Sequence, residues 1–305
     1  MDSMEIALSQ FKKVKIGDWP LIAEYLKASD YQESNHNIVN LMMWKHRYPI
    51  WMHEGDQWLL ILGIHDGEWF LYMPLCKSGG CFKKALRYGE SVFENQNVPY
   101  VLSCYTEEVK NAFLEFDPDF AAEEVRDGFD YIYPFEQLAT FQGKKMQKKR
   151  NHLNAFLKDY EGRWEYETLT ETQIPEAIAY LEEWHRCMGD DAFLNDEVAG
   201  VKYLLEHWGI LPAKGGLIRV DGAVRGFTIG SQLNHNTIQV NVEKADGSIR
   251  GLYPALTKEF LQHEFEAVEW INREDDVGHE NIRQAKLALQ PAYLLKKYRL
   301  KRTGR

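Results

Sequence analysis

A chain of 305 residues, 45 % hydrophobic and 27 % charged, is long enough for two core-bearing lobes and has an ordinary globular composition. Its formal charge of −10 excludes a protein coated in nucleic acid, which binds through many Lys and Arg contacts to phosphate, but leaves room for one local basic site. The longest apolar run, 58–64, is far short of the roughly 20 residues that span a bilayer, and 1–20 has no signal-like stretch, so the expected location is cytoplasmic.

In chain order, 18–29 reads as a helix, with Asp18 as N-cap and Pro20 near its start. A short helix is expected around Ile38, Leu41 and Met42. Residues 49–75 show three β-like runs broken at 54–56 and 65–68, the second break holding an Asp-Gly pair, and read as an antiparallel meander. Next come a helix at 81–96, a strand at 99–105, a helix at 106–115, and two strands around Asp127 and Gly128. A basic helix is expected over about 138–159, then a strand at 164–170, a helix from Pro175 to about Met188, and another at 196–208. Residues 215–245 read as three strands, with turns at Asp221-Gly222 and 234–236. A helix at 253–265, a strand at 267–274, a helix at 279–289 ended by Pro291, and a last strand at 293–302 complete the chain. Each half repeats one order of elements. The expected architecture is α/β (α+β): two related lobes, 1–137 and 138–305, each with a mostly antiparallel sheet flanked by helices.

Cys76, Cys81, Cys104 and Cys187 have no zinc or redox spacing and are expected to be reduced. The histidines form no nucleophilic constellation, and no Walker or dinucleotide fingerprint occurs. Asp275, Asp276 and His279 lack a spacing diagnostic of any metal, so none is expected.

Three stretches are candidate site segments. In the basic run 141–156, Met146, Arg150, Leu153 and Leu157 fall on one helical stripe. Arg150 is therefore expected to be buried and to need a carboxylate, carbonyls or a bound anion, with a carboxylate from 272–276 the expected partner. Asn151 and Asn154 flank it. Lys145, Lys149 and His152 share a second face, suited either to phosphate or to plain solvent. At 242–260 a strand, a loop with Gly247, Arg250 and Gly251, and a helix starting near Tyr253 form a candidate anion cradle, or a simple connection. At 270–286 an apolar strand runs into Asn272, Arg273, Glu274, Asp275 and Asp276, followed by Arg283 and Lys286; this is either a ligand site at a strand end or a salt-bridge network.

The segments 131–156 and 271–298, taken together, resemble the bacterial family shared with the C-terminal catalytic domain of phosphatidylglycerol lysyltransferase. The resemblance covers about 20–300. It implies two tandem GNAT-like lobes related to the Fem aminoacyltransferases, with Lys149, Arg150, Asn151, Asn272, Glu274, Asp275, Arg283 and Lys286 lining a transfer site. It implies donor phosphates on the loop amides of 246–254, a segment that departs from the usual Gln/Arg-x-x-Gly-x-Gly/Ala pattern. The activity implied is acyl or aminoacyl transfer from acyl-coenzyme A or aminoacyl-tRNA, as co-substrate rather than tightly bound cofactor, to an amine or hydroxyl. Partners would be that small-molecule or aminoacyl donor and, transiently, tRNA. Glu274 or Asp275 would take the acceptor proton or hold its amine, strand amides at 241–243 beside Asn241 would polarise the carbonyl, and Tyr253 would protonate the leaving group. A non-catalytic binder that keeps the fold, and a Fem-like peptidoglycan-precursor transferase, are the competing readings.

Overall fold

The computed structural model describes residues 10–189, 191–266 and 268–303. The segment 1–9, part of the stretch read above as lacking a signal, and Ala267, the first residue of one expected strand, lie outside them. Two units are formed, 1–129 with 295–305, and 130–294. The strands are β1 (Lys12–Lys13), β2 (Ile50–Glu54), β3 (Trp58–His65), β4 (Glu68–Leu71), β5 (Leu75–Cys76), β6 (Val101–Thr106), β7 (Phe120–Glu124), β8 (Asp130–Pro134), β9 (Trp164–Thr168), β10 (Ala213–Val220), β11 (Ala223–Gln232), β12 (Thr237–Ala245), β13 (Trp270–Asn272), β14 (Tyr293–Leu295) and β15 (Lys297–Arg302). The helices are α1 (Trp19–Ser29), α2 (Ile38–Trp44), α3 (Phe82–Asn95), α4 (Glu107–Phe116), α5 (Phe135–Thr140), α6 (Gln147–Asp159), α7 (Ile174–Met188), α8 (Ala192–Glu206), α9 (Leu252–Glu264) and α10 (Glu280–Leu287).

In the first unit the sheet order is β1-β2-β3-β4-β6-β15-β7, with β5 on the edge of β3; in the second it is β9-β10-β11-β12-β13-β8-β14. Each sheet is mostly antiparallel and holds a parallel pair, β4 with β6 and β12 with β13. Asp66-Gly67 and Asp221-Gly222 all have positive φ, as the two-residue hairpin turns between β3 and β4 and between β10 and β11 require. Helices cover the sheets with apolar faces: Leu86, Val92 and Phe93 of α3 join the first core, and Leu153, Phe156, Leu256 and Phe260 of α6 and α9 join the second. Among the described residues no helix is long and apolar enough to cross a membrane.

The division falls at 129/130 rather than 137/138, and 295–305 returns to the first unit. The two strands expected around Asp127 and Gly128 are formed, but they do not pair with each other. β7 pairs with β15, whereas β8 pairs with β13. The expected last strand is likewise two strands, β14 in the second sheet and β15 in the first. The expected basic helix 138–159 is interrupted as well: Phe141 ends α5 in the left-handed region, and Gly143 also has positive φ.

One buried charge cluster shapes the first unit. Glu33 is fully buried, and its carboxylate accepts from Lys297 Nζ at 2.8 Å. Burial alone would raise the Glu33 pKa, but Lys297 and His36 override it and hold it at about 2. The folded value lies below the unfolded one, so this group stabilises the fold above the ordinary glutamate range and ceases to as pH falls toward 2. A loss on the order of 3 kcal/mol is expected across that window. Urea unfolding between pH 5 and pH 2.5, with Glu33→Gln as the variant lacking this component, measures it.

Candidate active site in the second unit

β12 and β13 pair over three residues, Thr237 to Gln239 against Trp270 to Asn272, and then part. β12 continues beyond the parting with a bulge: Ile229 of β11 faces Val242 and Gly230 faces Val240, so Asn241 is the extra residue. The bulge lies where the two parallel strands separate. β13 instead turns away through Glu274, whose φ is +58°. Asn272 fixes that turn: its Oδ1 accepts from Glu274 N at 2.7 Å and its Nδ2 donates to Asp130 Oδ2 at 2.9 Å.

The gap is bridged by an ion pair, Arg273 to Glu243, at 2.7 Å, with side chains only 13 % and 9 % exposed. Glu243 also accepts from Thr257 Oγ1 of α9 at 2.8 Å. Tyr253, at the start of α9, has its phenol pKa raised by burial and by Glu243. Gly251, at φ +84°, is the N-cap of this helix; a Cβ there would lie 2.0 Å from the His152 carbonyl oxygen. Only glycine allows this approach, and through it the basic α6 meets the N-terminus of α9. Lys149 and His152 stand there with Arg250. Burial lowers the Lys149 pKa, and Arg273 and Lys148 lower it further. Burial, then Arg250 and Lys149, do the same to His152. Lys149 makes no hydrogen bond or ion pair within the described residues, so its ammonium is available to a ligand anion.

Glu274 differs from Asp276 in the direction of its shift. Burial pushes its pKa up to about 8; Gln239 and Lys286 oppose the rise, while Asp275 and Asp130 add to it. Gln239 Nε2 donates to Glu274 at 2.6 Å. Two polar atoms beside it on β12, Gln239 Oε1 and Asn241 Nδ2, are buried without a protein partner. Asn241 Oδ1 accepts from Ser231 at 2.9 Å. A half-buried carboxyl, an orphan acceptor and an orphan donor thus converge beside the parted strands.

Several expected site residues have other occupations. Arg150 does not pair with a carboxylate from 272–276: its guanidinium donates to the carbonyls of Phe141 and Gly143 at 2.9 and 3.1 Å and to Gln147 Oε1. Arg150 is half-buried rather than buried: the break after α5 leaves bare carbonyls one turn away, and these take it. Arg283 does not face a phosphate. It grips the buried Asp276 at 2.9 and 3.0 Å, and Tyr131 adds a hydroxyl at 2.6 Å. Burial would raise the Asp276 pKa, but these partners hold it well below the usual carboxylate range. Lys286 is also inward. It lies over the Tyr131 ring at 5.7 Å and donates to the carbonyls of Arg273, at 2.5 Å, and Asp275. It therefore holds the 273–276 turn and is no anion binder. Lys286→Met is expected to cost about 1–3 kcal/mol by orphaning those carbonyls, with amide exchange accelerating at 273–278. Asn151 accepts from Gln147 at 2.8 Å on the exposed side of α6, where Asn154 also lies, and Lys145 is exposed in the short turn before that helix. Gly247 is exposed with open space beside it, so no close approach requires glycine there.

Glu243, Gln239 and Asp130 join the candidate site and were not singled out from sequence, whereas Arg273 was read as part of the polar strand end. The available signal was the polar series Thr237, Gln239, Asn241 and Glu243, alternating with Ile238, Val240 and Val242.

A family model described as phosphatidylglycerol lysyltransferase, C-terminal, matches residues 27–301. A conserved protein of unknown function from Bacteroides thetaiotaomicron is 31 % identical, with a TM-score of 0.89 over 95 % of this chain and 98 % of that one. The C-terminal domain of a putative lysylphosphatidylglycerol synthetase from Agrobacterium fabrum is 15 % identical, with a TM-score of 0.63 over 93 % of each chain. FemX is 10 % identical, with a TM-score of 0.61 over 94 % of this chain and 96 % of its own. An uncharacterized protein of Mycoplasmoides gallisepticum is 27 % identical over 175 residues, a match that spans 56 % of each protein. Both units have the mixed α/β, GNAT-like fold of these structures.

Proposed function

The chain belongs to the phosphatidylglycerol lysyltransferase C-terminal family, and from that premise we propose that its second unit transfers an acyl or aminoacyl group from a phosphate-bearing donor to an amine or hydroxyl. The observation that carries this reading is Glu274: a carboxyl with its pKa raised to about 8, beside parted parallel strands and orphan polar groups. Such a group suits a base working near neutral pH. In this reading Glu274 takes the acceptor proton and Asp275 holds the acceptor amine. Backbone amides at the Asn241 bulge stabilise the oxyanion, and Tyr253 returns a proton to the leaving group. Asn241 lines the acceptor side, and Asn272 holds the turn that carries Glu274. Lys145, Lys149 and Arg250 with the N-terminal amides of α9, behind Gly247 and Gly251, hold the donor phosphate. Arg150, Asn151, Arg283 and Lys286 position these groups.

Two donor classes fit, acyl-coenzyme A and aminoacyl-tRNA, and salt separates them. An RNA donor neutralises several phosphates together, so its binding is expected to fall steeply with salt, and Lys149→Ala or Arg250→Ala to reduce the slope by about one each. Acyl-coenzyme A is expected to show a mild slope and to depend on the same two residues. Binding titrations from low to physiological salt with each donor decide it; a donor whose affinity ignores both substitutions is bound elsewhere, against this assignment.

A further inference from the structure

A second polar centre lies in the first unit, in the turn between α1 and α2. Glu33, Ser34 and His36 are each no more than 2 % exposed, and Lys297 is 3 % exposed. Glu33 Oε1 accepts from Lys297 Nζ at 2.8 Å and from Asn35 N at 2.9 Å, and its Oε2 contacts His36 Nδ1. Lys297 also donates to Ser34 Oγ at 2.9 Å and Asn35 Oδ1 at 2.8 Å, so all three ammonium hydrogens are used. A carboxylate can only accept, so Nδ1 supplies the hydrogen in its contact with Glu33. The ring's other nitrogen, Nε2, is buried and has no protein partner. Buried polar atoms are normally paired, and an orphan is costly to keep.

The location of this nitrogen is informative. β4 and β6 are joined by a single pair, Leu71 with Leu102, and then part, as β12 and β13 part in the second unit. Tyr72 follows Leu71 directly, and its ring meets the His36 ring at 5.6 Å; Tyr31 meets it at 5.2 Å. On the other strand Cys104 has φ +62°. The hydroxyl of the neighbouring Tyr105 is a second buried group without a protein partner. In the second unit the same step of the topology holds Glu243, Arg273 and Glu274.

We propose that the first unit has a ligand site of its own where β4 and β6 part, in which His36 Nε2 accepts a hydrogen bond from the hydroxyl or amine of a small polar molecule. Glu33 orients the ring through Nδ1, and Lys297 balances Glu33, so the centre offers an acceptor and no spare cation for an anion. The inference stands apart from the transfer reading of the second unit.

The test uses the full chain labelled with 15N-histidine, titrated with glycerol and with ethanolamine and followed by long-range 1H–15N correlation. The His36 signal is identified by its loss in His36→Gln. The expected result is a saturable shift of His36 Nε2 with at least one probe while the other nine of the ten histidines hold still, together with a rise in Tm that His36→Gln abolishes. If His36→Gln does not fold, Tyr72→Leu takes its place and is expected to weaken the same probe. A His36 signal unmoved by both probes, as a rigid internal water would leave it, overturns the proposal. So does a thermal shift that survives in the variants.

Discussion

Glu274→Gln is expected to lower turnover by roughly 10²–10⁴-fold while leaving the fold and donor affinity in place. The isostere keeps the shape and a group for Gln239 to meet, but it cannot take a proton. With the Glu274 pKa raised to about 8, the wild-type rate is expected to climb with pH through that region, and the variant to lose the climb. Stability moves the other way. The folded pKa lies above the unfolded one, so the protonated carboxyl stabilises the fold below the ordinary glutamate range, and that contribution is lost as pH rises to about 8. The variant is therefore expected to resist alkaline unfolding better than wild type. Asp275→Asn separates the roles: an amine holder raises the acceptor KM and spares kcat.

Arg273→Met is expected to cost about 3–5 kcal/mol. The ion pair with Glu243 is almost wholly buried, and Thr257 is the other partner of that carboxylate. Removing Arg273 leaves a carboxylate whose side chain is only 9 % exposed without its ion-pair partner. The double variant Glu243→Gln with Arg273→Met removes the stranded charge and is expected to recover much of the loss, which a double-mutant cycle in urea reads directly. A cost below about 1 kcal/mol for Arg273→Met would mean that the pair behaves as a solvated surface bridge.

Much of this fold was legible because it rests on local rules. The Asp-Gly turns at 66–67 and 221–222, the helix opened by Pro175 and the three-strand run to Ala245 all have short-range signatures, and each is formed. The strand partners were not legible. β8 and β15 are short strands, and nothing in 130–134 or 297–302 encodes which sheet takes them; that is decided by long-range pairing with β13 and with β6 and β7. The site divides in the same way. Glu274, Asp275, Tyr253, Lys149 and Gly251 announced themselves as polar or glycine breaks at strand and helix ends. Glu243 and Arg273 lie 30 residues apart and meet only because β12 and β13 run parallel and then separate. Arg150 and Lys286 were read as inward from helical periodicity, which states the direction of a side chain and not its partner. Both found backbone carbonyls.

The transfer reading of the second unit is tested most directly by incubating the protein with donors labelled in the acyl group, acetyl-coenzyme A in one series and bulk aminoacyl-tRNA in the other, with a mixture of amine and hydroxyl acceptors present. The release of label from the donor is followed for wild type and for Glu274→Gln. The account predicts that wild type discharges one donor class faster than buffer, with label appearing in an acceptor, and that Glu274→Gln is slower by roughly 10²–10⁴-fold. Discharge at equal rates by wild type and Glu274→Gln, or binding of a donor with no discharge by either, would contradict it, the latter leaving a fold that binds without transferring.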